Sequence, residues 1–267
     1  MENLVTESES NHQNLENKSF EELISAINSE DVSVAQSVRK ELHSIVSMAK
    51  VIFSKLANNG RLFYIGSGTS GRLGILDASE CPPTFGVGPD KIIGIIAGGD
   101  NAIRKAMEGA EDNTEQAILD LQKFDVNKND FVLGISASGK TPYVLGGLQK
   151  AKQKGIDTGA LSCNKNSLIG EVASYKIEIE VGPELLSGST RMKAGTAQKM
   201  ALNMLSTSLM IKLGHVKGNR MIDMQLSNQK LVDRGTRIIV EETGWDEKKA
   251  KTMLLQMGSV RKVLERN

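Results

Sequence analysis

Residues 130–141 read DFVLGISASGKT, an apolar run that passes directly into a loop of Gly, Ser and Thr. The run is apolar on both faces, which is typical of a buried parallel strand. Its loop follows the carboxyl end of that strand, where open α/β sheets bind their ligands. A second unit of the same kind, RLFYI followed by GSGTSGR, covers residues 61–72. Together the two units predict an α/β fold with a ligand site at one end of its strands.

Short strand-like runs alternate with helical stretches on both sides of these units. Most of the runs are apolar throughout, whereas the last, KIEIEV, alternates as an edge strand exposed on one face would. The βαβα order predicts a five-stranded parallel sheet flanked by helices. The predicted strands are 61–65, 91–97, 130–136, 157–162 and 175–181, and the predicted helices between them are 71–79, 101–122, 142–154 and 166–173.

Helices are predicted at both ends of the chain. Ser19 and Glu22 have the spacing of a capping box, which marks a helix start, and a longer amphipathic helix is expected from about Val32 to Leu56. Near the other end, Gly244-Trp245-Asp246 is expected to break a charged helical tail before one last short helix. The predicted organisation is a flexible N-terminus (1–17), N-terminal helices (18–51), a ligand-binding α/β domain (52–215) and a small helical C-terminal region (216–267).

Composition excludes several classes of protein. With 39% hydrophobic and 24% charged residues, the 267-residue chain is an ordinary globular sequence. Its 33 basic and 32 acidic residues nearly cancel, so nothing indicates a nucleic-acid or membrane partner. Cys81 and Cys163 lack the spacing of a disulfide framework or a zinc site, which favours the cytoplasm. The polar N-terminus is not a signal peptide, and no apolar stretch has the length of a membrane helix.

GISASGKT, residues 134–141, matches the nucleotide P-loop pattern G-x-x-x-x-G-K-[ST]. A P-loop protein also needs an acidic Mg²⁺ partner at the end of another buried strand. The other buried strands end in Ala-Gly-Gly and Leu-Ser, and Glu178 and Glu180 are expected to point outward from the edge strand. Ser136 and Ser138 favour a hydroxyl-lined pocket for a monophosphate instead. Two ordinary Gly/Ser turns without a ligand are the alternative, but they explain two such loops in one sheet less well.

A third segment, GPELLSGSTRMKAGTAQKM at 182–200, has the same chemistry. Ser189 and Thr190 precede a helix whose first turn carries Arg191 and Lys193. Cations at a helix start are unfavourable for the helix dipole, so a bound anion would explain them. A solvated basic face is the alternative.

The loops GSGTSGR and SASGKT resemble the phosphosugar-binding loops of the SIS (sugar isomerase) domain family. GPELLSGSTRMKAGTAQK is similar to the signature shared by glucokinase regulatory proteins and N-acetylmuramic acid 6-phosphate etherases. GTSGRLGILDASECPPTFG (68–86) and AGGDNAIRKAMEGAEDN (97–113) resemble the etherases over long stretches. The similarity runs from the N-terminal LVTE to about residue 240 and implies an SIS-type fold.

The resemblance implies a lyase that cleaves the D-lactyl ether of N-acetylmuramic acid 6-phosphate during recycling of cell-wall amino sugars. Opening the sugar ring exposes the C1 aldehyde, which acidifies the C2 proton. A base then removes that proton, lactate leaves C3 with help from an acid, and water adds to give N-acetylglucosamine 6-phosphate. The reaction requires no metal or redox cofactor.

The etherases carry two proposed catalytic glutamates at positions that match Glu80 and Glu111. We assign Glu80 as the acid at the lactate oxygen and Glu111 as the base at C2, although the two roles could be exchanged. Cys81 has no His partner in the sequence, so a thiol nucleophile is not expected. The expected substrate-binding residues are Ser67, Thr69, Ser70, Ser136, Ser138, Gly139, Lys140, Thr141, Glu184, Ser189, Thr190 and Lys193.

Glu184 has two interpretations of equal weight. It matches the region where SIS isomerases keep a glutamate that acts on C1 and C2, and it could instead simply be solvated at a helix start. By the same resemblance, a homodimer with pockets near the subunit boundary is expected, with a phosphosugar as the only other partner.

Two other functions stay open: a phosphosugar sensor like the glucokinase regulators, and an aldose–ketose isomerase. The regulators are much longer chains with tandem sugar-binding halves, whereas this sequence has one set of loops.

Two stretches depart from the etherase pattern. SESNHQNLENKS carries an Asn/Glu-rich insert, and the charged ending QMGSVRKVLERN leads us to expect a shortened C-terminal region.

Overall fold

A five-stranded parallel sheet forms the centre of the computed structural model, which describes residues 4–266. Its strands lie in the order β2-β1-β3-β4-β5. The sequence-based prediction of a parallel sheet is confirmed, and the alternating strand lies at an edge as expected. The strands are β1 (Leu62–Gly66), β2 (Ile92–Ile96), β3 (Phe131–Ile135), β4 (Asp157–Ser162) and β5 (Tyr175–Glu178).

Helices cover both faces of the sheet and form the C-terminal part of the described chain. None of the helices in residues 4–266 combines the length and apolar character needed to cross a membrane. They are α1 (Phe20–Lys40), α2 (Leu42–Ala57), α3 (Gly68–Phe85), α4 (Asn101–Arg104), α5 (Gln116–Gln122), α6 (Pro142–Gln153), α7 (Leu168–Val172), α8 (Lys193–Lys212), α9 (Gln229–Thr243), α10 (Glu247–Met257) and α11 (Val260–Arg266). A short hairpin, β6 (Val216–Lys217) and β7 (Arg220–Met221), follows α8.

Alternating side chains of the strands enter two separate apolar cores. Tyr64 and Leu133 pack with residues of α2, α3 and α8 on one face. Phe63 and Val132 pack with residues of α5 and α6 on the other face. Because successive strand residues point to opposite faces, a shift of one residue would exchange the two sets. Burial on both faces therefore fixes how the strands, and the loops that follow them, are aligned.

Three predicted helices have different bounds in the structure. The helix expected from Val32 to Leu56 is divided at Glu41, so that α1 packs on α8 while α2 also packs against β5. The helix expected over 101–122 is interrupted, and Gly109 there has φ = 70°, a conformation that favours glycine. Helix α3 continues past its predicted end at 79, through two prolines, to Phe85.

The described N-terminal residues make contacts with distant loops, and the flexibility predicted for 1–17 stays a prediction. Residues 1–3 lie outside the described part of the chain. Thr6 is fully buried, and the Asn164 side chain donates to Thr6 Oγ1 (2.8 Å). Further along, the Ser10 N–H donates to Ser187 Oγ (2.9 Å). The polar side chains of this segment thus supply hydrogen-bonding groups for distant loops.

The C-terminal helices enclose a third apolar core of their own. The single last helix predicted after Gly244 is two helices, α10 and α11, separated at Gly258, which has φ = 67°. The Asp223 carboxylate accepts from Arg261 Nε (2.7 Å) and lies 2.9 Å from His215 Nδ1. These contacts join α11 to the segment that follows α8. The predicted domain boundaries at 51/52 and 215/216 stay predictions.

Candidate active site

The two hydroxyl-rich loops meet because of the strand order. β1 and β3 are neighbours at the centre of the sheet, whereas β2 lies on the far side of β1. The chain therefore proceeds in opposite directions from β1, which makes this the switch point where open α/β sheets bind ligands. Gly66 pairs with Ile135, so both strands end at the same level. The loops 67–71 and 136–141 consequently flank one crevice.

That crevice contains a cavity of about 520 Å³, a size typical of small-molecule sites. Helices α3 and α6 both begin at it, and their free N–H groups and positive dipole ends favour an anion. Among the predicted site residues, those lining the cavity are Ser67, Thr69, Ser70, Glu111, Ser136, Ser138, Lys140, Thr141 and Thr190. Glu7, Gly68, Asp112, Ala137 and Pro142 complete the lining.

The second loop is closed by its own hydroxyl groups. Ser136 Oγ lies 2.7 Å from Thr141 Oγ1 and accepts the Gly139 N–H (3.1 Å). Gly139, predicted to bind substrate, has φ = 73°, and a Cβ there would lie 2.4 Å from Ser167 Cβ. Gly139 therefore allows the loop to pack closely against Ser167, and it does not line the cavity.

The expected outward orientation of Glu178 on the edge strand is wrong. Its side chain is buried, and its carboxylate accepts hydrogen bonds from the N–H (2.8 Å) and Oγ (2.9 Å) of Ser167 at the start of α7. Burial raises the pKa of Glu178, but these hydrogen bonds, together with the charge of Lys176 and the Asn166 N–H, outweigh burial and lower it. The carboxylate is thus occupied in holding α7. For this reason, and not because it points outward, Glu178 is unsuited as the acidic Mg²⁺ partner of a nucleotide P-loop.

Glu111 brings a carboxylate to the edge of the first loop. It lies in the 3-10 turn Ala110–Asp112, and Ser67 Oγ donates to its Oε2 at 3.0 Å. The Glu111 side chain is exposed at the cavity and therefore accessible to a ligand. A carboxylate held in this way, beside hydroxyl and N–H donors that suit a phosphate group, can take a proton from a bound molecule.

Three family models match the chain. The glucokinase regulatory protein N-terminal SIS domain matches residues 44–152, and the SIS domain matches residues 111–208. The C-terminal lid domain of glucokinase regulatory protein matches residues 218–265. The SIS assignment predicted from the two loops is confirmed.

Curated relatives match nearly the whole chain. The N-acetylmuramic acid 6-phosphate etherase of Christiangramia forsetii is 55% identical over 97% of this chain and 95% of its own length. The etherases of Bacteroides fragilis and Porphyromonas gingivalis are 52% and 53% identical, over 98% and 96% of this chain and 93% and 94% of their own lengths.

The chain belongs to the N-acetylmuramic acid 6-phosphate etherase family. Solved structures of lower identity share its fold. An Escherichia coli protein solved as a ligand complex has a TM-score of 0.56 at 20% identity, covering 76% of this chain and 97% of its own. The phosphoheptose isomerase of Neisseria gonorrhoeae has a TM-score of 0.51 at 15% identity, covering 72% and 99%.

Glu80, which the etherase resemblance pairs with Glu111, does not line the cavity of its own chain. It is an exposed residue of α3, placed 12 positions after the first residue of that helix, Gly68. At the rise of an α-helix this is roughly 18 Å along the axis, which exceeds the length of a hexose phosphate.

The neighbouring Cys81 is buried, and burial, together with the charges of Asp77 and Glu80, raises its pKa to about 12. Its thiol therefore stays protonated and is a poor nucleophile.

Glu184 and Lys193 of the etherase signature are buried and do not line the cavity. Glu184 is fully buried, and its carboxylate accepts the N–H groups of Lys193 and Ala194, both at 2.9 Å. Lys193 Nζ is buried against the carboxylate of Glu30 on α1. The hydrogen bond from Lys193 lowers the pKa of Glu30. These side chains join the start of α8 to the rest of the fold, and Ser189 also lies outside the cavity lining.

Sequence reasoning missed two residues around this cavity, Gln198 and Glu7. Gln198 is fully buried on α8, and its Oε1 accepts from Ser70 Oγ at 3.0 Å. A glutamine among the buried alanines 194, 197 and 201 breaks an apolar stripe, and this signal could have identified it. Glu7 is the last residue of LVTE, where the similarity to the etherases begins, and that motif is the signal that could have identified it.

Proposed function

We propose that this chain is a carbon–oxygen lyase that cleaves the lactyl ether of N-acetylmuramic acid 6-phosphate. The products are N-acetylglucosamine 6-phosphate and D-lactate. The observation that carries the proposal is that Glu111 and the two hydroxyl loops line one cavity. The curated relatives of this chain are named for the same activity. We place the reaction in the cytoplasm, in the recycling of cell-wall amino sugars, and the buried free thiols of Cys81 and Cys163 fit a reducing compartment.

The loops provide the phosphate site of the proposed mechanism. Hydroxyl groups of Ser138 and Thr141 and the free N–H groups of α3 and α6 are donors for phosphate oxygens. Lys140, exposed at the rim, adds a positive charge. With the phosphate fixed there, the sugar extends along the cavity toward Glu111.

Glu111 is the proposed base at C2. Once the ring has opened, the Glu111 carboxylate takes the C2 proton, a C2=C3 double bond forms, and the C3–O bond to lactate breaks. The departing lactate oxygen receives a proton from an acid. Water then adds its hydroxyl group to C3 and a proton to C2. Ser67 holds the Glu111 carboxylate toward the sugar through its hydrogen bond.

Glu80 is the proposed acid, acting in the cavity of a second copy of the chain. The helix rise of roughly 18 Å from Gly68 to Glu80 supports a position of Glu80 outside the cavity of its own subunit. Exposed apolar side chains favour a homodimer: Phe20 and Ile24 of α1 are 80% and 64% exposed, and Leu76 of α3, one helical turn before Glu80, is 52% exposed. Burial of such side chains between two copies is the usual basis of a stable dimer.

The proposed activity is tested by release of D-lactate from N-acetylmuramic acid 6-phosphate, coupled to D-lactate dehydrogenase. Glu111→Gln should lower the rate about 10²- to 10⁴-fold and leave the melting temperature unchanged. Glu171→Gln, at an exposed glutamate of α7 outside the cavity, is the matched control. Binding of the phosphosugar without lactate release by the unmodified protein would favour a sensor instead.

Solvent deuterium separates the two proposed roles. Glu111→Gln should abolish exchange of the C2 proton, whereas Glu80→Gln should retain exchange and lose lactate release. The opposite pattern would reverse the assignment of acid and base.

Mixed dimers test whether Glu80 acts across subunits. A dimer of one Glu80→Gln chain and one Glu111→Gln chain contains one pocket with both native glutamates only if Glu80 reaches the partner's cavity. Such dimers should recover about half of the normal activity, while each homodimer stays inactive. Mixed dimers without recovery would contradict action across subunits.

A further inference from the structure

The N-terminal strap, residues 4–10 (LVTESES), lies against the second hydroxyl loop and reaches the cavity. We infer that its Glu7 is a substrate-binding residue whose carboxylate accepts hydrogen bonds from the sugar's O–H and N–H groups. This inference rests on the proposed function, since it names a further residue of the same site.

Asn164 fixes the strap to the second loop. Its Oδ1 accepts the Thr6 N–H (3.3 Å), and its Nδ2 donates to Thr6 Oγ1 (2.8 Å) and to the Ala137 carbonyl oxygen (3.1 Å). One amide side chain thus bonds to both the strap and the loop. Because Thr6 and Asn164 are both buried, water does not compete for these hydrogen bonds.

Ser10 fixes the other end of the strap to the third segment. Its N–H donates to Ser187 Oγ (2.9 Å), and its Oγ donates to the Leu185 carbonyl oxygen (2.6 Å). Glu7 lies between this contact and the Thr6 contact, in the 3-10 turn Val5–Glu7. Its backbone is therefore held from both sides, which limits where its side chain can point.

The Glu7 carboxylate is available to a ligand. Glu7 is exposed and lines the 520 Å³ cavity together with Thr190 and both hydroxyl loops. Within residues 4–266 its N–H donates to the Leu4 carbonyl oxygen (3.0 Å), while no hydrogen bond or ion pair involves its carboxylate. In contrast, the carboxylates of Glu184 and Glu30 are already bound to the N–H and the Nζ of Lys193. A free carboxylate keeps all its acceptor positions for a bound molecule.

Charge decides which part of the sugar Glu7 contacts. A carboxylate repels both the phosphate and the lactyl carboxylate of the substrate, so it is unsuited to either end that carries charge. The ring hydroxyls and the acetamido N–H are neutral donors, and a carboxylate accepts from them strongly. With the phosphate held by the loops, Glu7 faces these donors from the strap.

The test compares Glu7→Ala and Glu7→Asp with Glu9→Ala, whose residue is exposed on the same strap and outside the cavity lining. Lactate release gives kcat and KM, and calorimetric titration with N-acetylglucosamine 6-phosphate gives a binding constant independent of chemistry. Glu7→Ala should weaken binding and raise KM about ten- to a hundredfold, with kcat and melting temperature nearly unchanged. Glu7→Asp should recover part of the loss, and Glu9→Ala should match the unmodified protein.

The outcomes separate this inference from the proposed function. If the unmodified protein releases lactate but Glu7→Ala leaves binding and KM unchanged, the inference is wrong and the function stands. If Glu7→Ala lowers kcat alone, Glu7 transfers a proton instead and the inference is again wrong. If the unmodified protein releases no lactate but binds the phosphosugar and Glu7→Ala weakens that binding, the function is wrong and the inference stands.

Discussion

Single polar side chains at the cavity are held by partners from distant parts of the chain. Ser67 donates to Glu111, and Ser70 donates to Gln198 on α8. Each pair leaves one hydroxyl group of the first loop with a defined orientation. In addition, Gln198 Nε2 is buried and has no hydrogen-bond partner within residues 4–266. Because an unpaired buried N–H costs stability, we expect Gln198 to serve the site more than the fold.

Gln198→Met tests this role. Methionine fills a similar volume without the unpaired N–H, so we expect the melting temperature to stay unchanged or rise. Because Ser70 Oγ loses its partner, KM for the phosphosugar should rise about two- to tenfold. Kinetics and thermal unfolding measure the two effects, with Gln153→Met, at an exposed position of α6, as control. A large loss of stability would show that the Gln198 amide supports the fold.

At the scale of elements, the start of α8 depends on one buried carboxylate. Glu184 accepts two N–H groups that would otherwise lack partners at the first turn. Its negative charge also lies at the positive end of the α8 dipole. The sequence allowed two interpretations of Glu184, action on the sugar or solvation at a helix start. In the structure it is buried and holds the start of α8.

Glu184→Ala should lower the free energy of unfolding by about 2–4 kcal/mol, because two buried N–H groups lose their acceptor. Urea denaturation measures this change. Glu184→Gln keeps one acceptor oxygen and should cost less. If Glu184→Gln instead abolished lactate release at unchanged stability, Glu184 would act on the substrate.

At the scale of the whole molecule, Asp223 fastens the C-terminal helices to the segment after α8. Arg261 on α11 donates to it through Nε (2.7 Å) and a terminal nitrogen (2.6 Å). Burial raises the pKa of Asp223, but the hydrogen bonds from Arg261 and His215 outweigh burial and lower the pKa from its ordinary 3.8. The ionised carboxylate is therefore the form that stabilises the fold.

Asp223→Asn should lower the free energy of unfolding at pH 7 by about 1–2 kcal/mol. Since the pKa of Asp223 is lower in the folded chain, its contribution is complete well above pH 3.8 and is lost as the pH falls through the folded pKa. The difference between Asp223→Asn and the unmodified protein should thus shrink with acidification. Urea denaturation across this pH range measures it, and a constant difference would contradict the role of the charge.

The exposed face of α1 gives a prediction for the assembly. Ile24→Glu should convert a dimer into monomers, because a charge cannot be buried between two copies without a partner. Sedimentation measures the mass, and lactate release should fall with dissociation if Glu80 acts across subunits. Gln36→Glu adds the same charge to an exposed position of α1 and is the control. A dimeric, active Ile24→Glu protein would place the interface elsewhere.

The sequence by itself determined the strands, the two hydroxyl loops that follow them and the glycine in the second loop. These features depend on apolar runs and turn chemistry within about ten neighbouring residues, and such patterns are visible in the chain itself. Similarity of long motifs to the etherases added Glu80, Glu111 and the activity.

Only the tertiary structure decided what lies around the loops. The strand order β2-β1-β3 brings the two loops together, and the ion pair with Glu30 holds Lys193 away from the cavity. The hydrogen bond between Asn164 and Thr6 positions the neighbouring Glu7 at the cavity. The length of α3 separates Glu80 from it. Thr6 and Asn164 are 158 positions apart, and Glu30 and Lys193 are 163 apart. Contacts over such separations arise from packing of complete elements, which no local pattern of side chains specifies.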